Sequence, residues 1–113
     1  WLRLIKHLEP EDYVNLLRNS KCLIGNSSSF VRDSSFMGVP SVIIGERQIE
    51  REHNENVKIV KCDTDIIVAT IKKHSNQIFK KSKLYGNGKA CQKIIKKIKN
   101  FKPNLQKKLN YKS

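Results

Sequence analysis

The stretch Cys22-Leu23-Ile24-Gly25-Asn26-Ser27-Ser28-Ser29-Phe30-Val31-Arg32-Asp33 restricts the fold of this chain more than any other. A short apolar run passes directly into a hydroxyl-rich turn and then into a segment with helical character. Strand, turn and helix in that order make half of a βαβ unit. The same order sets up a chemistry. The first amides of a helix lack intrahelical acceptors and lie at the positive end of the macrodipole, so an anion such as phosphate is favoured there. Serines at such a start cap the helix, donate to a phosphate, or do both.

The rest of the chain repeats the alternation. Leu2 to Ile5 reads as a strand, and Pro10, Glu11 and Asp12 suit the first turn of a helix in which Tyr13, Leu16 and Leu17 share a face. Lys21 to Ile24 is the next strand, and Ser29 to Met37 the next helix, stopped by Gly38 and Pro40. Ser41 to Ile44 and Val57 to Val60 are β-branched runs of the kind buried in parallel sheets. Between them, residues 45 to 56 are polar and charged, a loop suited to face a ligand. Asp63 or Thr64 caps a helix carrying Ile66, Ile67, Ala69 and Ile71, Ser82 to Gly88 is a turn-rich connector, and Ile94, Ile95 and Ile98 form the apolar face of a last helix. The expected fold is α/β, a Rossmann-like parallel sheet with flanking helices on both faces.

Ligands of such sheets bind at the carboxyl ends of the strands. The loops after Ile5, Ile24 and Ile44 therefore converge, bringing together His7 to Tyr13, Gly25 to Asp33 and Gly45 to Arg51. Ser27, Ser28 and the amides after them suit a diphosphate, with Arg47 and Arg51 supplying positive charge. Asp33 can accept hydrogen bonds from a ribose diol, and Tyr13 offers a ring or a hydroxyl near a base. Each has a plainer reading: the serines as helix caps, Asp33 as a surface acid, Tyr13 as core. His7 lies nearest this edge but has no visible partner, and His53 and His74 read as solvated.

Charge and cysteine content bound the remaining classes. The net charge of +13 is uneven: residues 1 to 56 carry seven Lys/Arg against eight Asp/Glu, whereas residues 57 to 113 carry sixteen Lys against two acids. Nucleic acid or an anionic surface is one partner for such a half, but it has no arginine for base reading and few aromatics to stack on bases, so a solvated surface is the favoured reading. Cys22, Cys62 and Cys91, odd in number and widely spaced, read as reduced structural thiols rather than disulfide or zinc partners. No apolar run approaches the ~20 residues of a membrane span, and no signal-peptide order is present, so the expected location is cytoplasmic. Trp1 opens the chain in place of Met, and a strand-like run begins at once, so the chain reads as a fragment.

Gly25-Asn26-Ser27-Ser28-Ser29, Arg32, Ser35-Phe36-Met37-Gly38-Val39-Pro40, Ile44-Gly45-Glu46-Arg47-Gln48-Ile49-Glu50-Arg51-Glu52, Glu55-Asn56-Val57 and Tyr85-Gly86-Asn87-Gly88-Lys89-Ala90 resemble, in order, the C-terminal lobe of UDP-N-acetylglucosamine 2-epimerases. The resemblance is strongest to the hydrolysing branch. It implies a two-lobed glycosyltransferase-B-like enzyme of which residues 1–101 form part of the C-terminal UDP-binding lobe; residues 102–113, with little to bury, read as a basic, flexible tail. It places Ser27 and Ser28 at the diphosphate with Ser29 on the same turn, Asp33 at the uridine ribose, Tyr13 beside the nucleoside and Arg47 in the Gly-x-Arg-Gln stretch. The implied substrate is UDP-N-acetylglucosamine or a related UDP-sugar. The implied reaction is elimination of UDP followed by hydration to N-acetylmannosamine, in service of sialic acid and cell-surface polysaccharide synthesis.

The resemblance also implies that the catalytic acids and bases come mainly from an N-terminal lobe and the hinge, so this chain has no assigned catalytic residue, metal or cofactor and is expected to be inactive alone. It leaves room for a homo-oligomer of the full enzyme. Three positions depart from the family pattern. Phe30 replaces a frequent glycine and crowds a diphosphate unless its ring turns into the core. Asp33 is one methylene shorter than the usual glutamate, and Glu50 replaces a glycine, adding a carboxylate near the phosphates unless it points to solvent. The competing readings are a basic interaction module for RNA or anionic surfaces and a truncated, non-functional product.

Overall fold

The computed structural model describes residues 1–103, so residues 104–113, most of the expected tail, lie outside the described residues. Its elements are α1 (Pro10–Asn19), β1 (Leu23–Gly25), α2 (Ser29–Met37), β2 (Ser41–Ile44), β3 (Val57–Val60), α3 (Thr64–His74) and α4 (Ala90–Asn100). The strands form one parallel sheet in the order β1-β2-β3, with Leu23 opposite Ser41 and Ser41 opposite Val57. This is the α/β, parallel-sheet class expected from the sequence.

The central strand explains the choice of residues. Val42 and Ile43 are successive, so they point to opposite faces, and both are 0% exposed. β2 is therefore covered on both sides, as a run of β-branched residues in a parallel strand requires. β1 is covered on one side only: Leu23 is buried, whereas Ile24 is 46% exposed. Val31, Ile43 and Val57 make one core cluster, and Leu17, Leu23 and Val39 make another. Phe30 packs against both, which fixes α2 on the sheet. Burying each such side chain contributes roughly 1.5–3 kcal/mol, so this small core depends on a few residues.

Local signals set the ends of the elements. Pro10 opens α1 with Glu11 and Asp12 in its first turn, and Asp63 Oδ1 accepts from the Ile66 amide at 3.0 Å to start α3. α2 ends at Gly38, whose φ of 74° is left-handed, and whose Cα packs so closely that an added Cβ would lie 2.6 Å from the Phe79 carbonyl oxygen. Gly38→Ala is therefore expected to cost about 2–3 kcal/mol, read as a lowered urea midpoint with an unchanged slope. A loss under about 0.5 kcal/mol would show that the 79–82 segment does not press on the end of α2.

Four sequence expectations change. Leu2–Ile5 is exposed and forms no strand, because a strand's amides and carbonyls need a neighbouring strand and none among the described residues pairs with it. Leu16 is 50% exposed, leaving Tyr13 and Leu17 as the inward residues of α1. His74 is not solvated: it is 2% exposed, its Nε2 donates to the Asn56 carbonyl at 2.7 Å, and its ring lies 4.7 Å from that of Phe79. The three cysteines are free, but only Cys22 is partly buried, and burial pushes its thiol up from the ordinary value, whereas Cys62 and Cys91 are exposed. In α4, Ile94, Ile95 and Ile98 do lie together on one side, and all three are exposed.

Candidate functional site

Parallel pairing puts the carboxyl ends of β1, β2 and β3 on one edge, so the turn 26–28, the loop 45–52 and the segment 61–63 gather there. The first of these is built by serines. The Ser27 carbonyl accepts from the Phe30 amide at 3.1 Å, the Ser28 carbonyl from the Arg32 amide at 3.0 Å, and Ser27 Oγ from the Ser29 amide at 3.3 Å. The Ser28 side chain makes no capping bond. The Ser27 and Ser28 amides donate to no group among the described residues. These groups lie at the positive end of α2, where the physics of a helix start favours an anion.

Ser29 has a different task. Tyr13 Oη donates to Ser29 Oγ at 3.0 Å, and Ser29 Oγ in turn donates to Asp33 Oδ2. The bond from Ser29 to Asp33 spans one helical turn, where positions i and i+4 stack. The bond from Tyr13 crosses from α1 to α2. With its single proton committed to Asp33, Ser29 presents a lone pair to further ligands, whereas Ser28 keeps a free hydroxyl. The resulting chain holds the Asp33 carboxylate in place while Oδ1 remains an acceptor without a protein donor among the described residues. Asp33 also lines a groove of about 510 Å³ walled by Val14, Phe36, Met37 and Tyr85.

Phe30 does not crowd the turn. Its ring faces the two core clusters and leans on Gly25, where an added Cβ would lie 3.1 Å from Phe30 Cε2. Glycine at 25 and phenylalanine at 30 are thus complementary. Glu50 is exposed, as is Arg47, and Arg47 makes no ion pair among the described residues. The expected convergence of the loop after Ile5 fails with its strand: among the described residues no sheet strand leads into His7, which lies 3.8 Å from Glu9 with both side chains largely exposed.

Sequence reasoning left three residues here without a role. Gln48 is 3% exposed and its Nε2 donates to the Asn26 carbonyl at 2.9 Å, tying the loop 45–52 to the serine turn. Tyr85 Oη donates to the Glu52 carbonyl, which folds the connector 82–88 beside that loop. At the opposite edge of the sheet, Asn56 is 0% exposed and bridges α2 to β3. A polar residue in a charged loop gives no periodic signal of burial, so spacing alone does not reveal these contacts.

The fold and this edge define a parallel α/β domain with unpaired serine amides at the start of α2. The family model described as UDP-N-acetylglucosamine 2-epimerase matches residues 1–99, and the chain belongs to that family. A UDP-N,N'-diacetylbacillosamine 2-epimerase (hydrolyzing) of Legionella pneumophila is 34% identical over 101 residues, which is 86% of this chain and 27% of that protein. A GDP/UDP-N,N'-diacetylbacillosamine 2-epimerase (hydrolyzing) of Campylobacter jejuni is 36% identical over 55 residues, 49% of this chain and 14% of that protein. A UDP-N-acetylglucosamine 2-epimerase of Neisseria meningitidis is 36% identical over 47 residues, 42% of this chain and 12% of that protein. The chain thus spans about a quarter or less of the length of these relatives. No helix among the described residues is long and apolar enough to cross a membrane.

Proposed function

We propose that this chain is the UDP-binding part of a hydrolysing UDP-sugar 2-epimerase, acting on UDP-N-acetylglucosamine or a related acetamido sugar. The observation that carries the reading is the Tyr13–Ser29–Asp33 hydrogen-bond chain standing beside the free Ser28 hydroxyl and the unpaired amides of Ser27 and Ser28. A carboxylate for a ribose and donors for phosphates then lie one helical turn apart, and the family supplies a substrate with both. Arg47, exposed on the adjoining loop, supplies a positive charge from that loop.

On this reading the chain helps the leaving group depart. Eliminating UDP from the sugar builds negative charge on the diphosphate, and the start of α2, the Ser27 and Ser28 hydroxyls and the Arg47 guanidinium are the donors and dipoles that stabilise it. The proton at C2 of the sugar and the water that follows need an acid and a base. Those are assigned to the portion that the longer relatives possess beyond this match, an N-terminal lobe in a glycosyltransferase-B-like arrangement. Residues 1–101 by themselves bind UDP without turning over a UDP-sugar, and the site works in the cytoplasm, where nucleotide sugars are made.

UDP should raise the melting temperature of the chain in a concentration-dependent way, by linkage. Ser28→Ala removes a donor to a charged ligand and should weaken UDP about tenfold. No UDP effect at millimolar ligand, combined with RNA binding that falls steeply with salt, would instead favour the Lys-rich half as an interaction module.

A further inference from the structure

We infer that Gln48 is a positioning residue for the diphosphate, holding the arginine-bearing loop against the serine turn so that Arg47 and Ser27–Ser28 act on one anion. The inference rests on the UDP reading above and adds to it a residue that touches neither nucleotide nor sugar.

Three observations meet at this side chain. Gln48 is 3% exposed in a loop where Arg47, Ile49 and Glu50 are all exposed, so it is the buried anchor of those four residues. Its Nε2 donates at 2.9 Å to the carbonyl of Asn26, the residue immediately before Ser27. Its own carbonyl accepts from the Arg51 amide at 3.0 Å, and the Ile49 amide donates to the Glu46 carbonyl at 3.0 Å, so the turns that bear Arg47 and Arg51 are both built around it. The tether therefore runs from the neighbour of Arg47 to the neighbour of Ser27. Arg47 has no ion pair among the described residues, so the backbone under it sets where its guanidinium can reach.

The remaining oxygen of Gln48 argues for a task other than stability. Oε1 is buried without a hydrogen-bond partner. An orphaned buried acceptor opposes folding, and a methionine of the same length would fill the space without it. The amide nitrogen is what methionine lacks, and its bond to Asn26 fixes the distance between the two halves of the anion site. Prepaying that order raises affinity for a diphosphate and for nothing else on the nucleotide.

The test compares UDP with uridine, which keeps the nucleoside and lacks both phosphates. With the full chain and calorimetry or NMR titration, Gln48→Met should weaken UDP about fivefold, leave uridine unchanged and leave the melting temperature equal or higher. Arg47→Ala should show the same dependence on phosphate, and the double variant should bind UDP no more weakly than Arg47→Ala alone. Gln48→Asn, one methylene too short to reach Asn26 yet still an amide, should reproduce the loss and keeps the test valid should the methionine variant fail to fold. Equal weakening of UDP and uridine, additive losses with Arg47→Ala, or unchanged UDP affinity overturns the tether. If the unsubstituted chain binds no UDP, the parent reading falls and the tether with it; if it binds UDP and only the Gln48 variants are silent, the tether alone falls.

Discussion

Asn56→Ala should lower the stability of this chain by roughly 3–4 kcal/mol, more than any surface change and a large share of the 5–15 kcal/mol typical of a domain. Asn56 is 0% exposed, and its side chain satisfies both of its polar groups. Oδ1 accepts from Ser35 Oγ at 3.0 Å, while Nδ2 donates to Ser34 Oγ at 3.0 Å and to the Val39 carbonyl at 2.7 Å. These bonds clamp the end of α2 and the turn after it to the start of β3. Its main-chain carbonyl accepts from the Ser41 amide at 2.8 Å and from His74 Nε2 at 2.7 Å, so α3 is held at the same point. Alanine removes the side-chain clamp, leaves the Val39 carbonyl without that donor and opens a cavity among buried serines. Asn56→Asp should do as badly, since it keeps an acceptor, loses the donor and buries a carboxylate. Urea unfolding followed by circular dichroism reads both, and a loss below about 1 kcal/mol for the alanine variant would show that the serines find water or each other instead.

This network marks where the sequence stops being legible. Ser29–Met37, Ser41–Ile44 and Val57–Val60 follow from local signals: β-branched runs, a left-handed glycine at 38, a proline at 40. Leu2–Ile5 is largely apolar as those strands are, with one β-branched residue to their three, and it has no partner strand among the described residues. His74 carries Lys72 and Lys73 before it, which suggests a solvated turn, but its burial is decided by a carbonyl 18 residues earlier. The same distinction runs through the site. The bond from Ser29 to Asp33 is an i, i+4 contact and can be read from spacing. The bond from Tyr13 to Ser29 depends on how α1 packs on α2, and the bond from Gln48 to Asn26 on how two loops meet at a sheet edge. The turning of Phe30 into the core is likewise visible only once Gly25 is seen to make room for it.

Asp33→Ala should weaken UDP by about a hundredfold, the largest single effect expected at the ligand site, since hydrogen bonds to a charged group contribute roughly 1.5–3 kcal/mol and a ribose diol offers two. On the proposed reading, the fixed position of the shorter side chain compensates for its reach. Ser29 occupies one lone pair of Asp33 Oδ2 and is itself held by Tyr13, so the carboxylate is fixed before any ligand arrives and little rotamer entropy is lost on binding. The effect should track the ribose hydroxyls. The unsubstituted chain should prefer UDP over 2'-deoxy-UDP by about tenfold, and Asp33→Ala should bind the two alike. Tyr13→Phe keeps the ring and the Ser29–Asp33 bond but removes the anchor on α1, so it should fall between them, with a loss of about threefold for UDP and less for the deoxy nucleotide. Asp33→Ala should also differ from Ser28→Ala in what it spares: inorganic pyrophosphate, which has no ribose, should bind the Asp33 variant at least as well as the parent chain, because a negative charge near the phosphates has been removed. A loss for pyrophosphate equal to that for UDP would mean that Asp33 supports the fold of the turn rather than the nucleoside, and would return the ribose role to another residue.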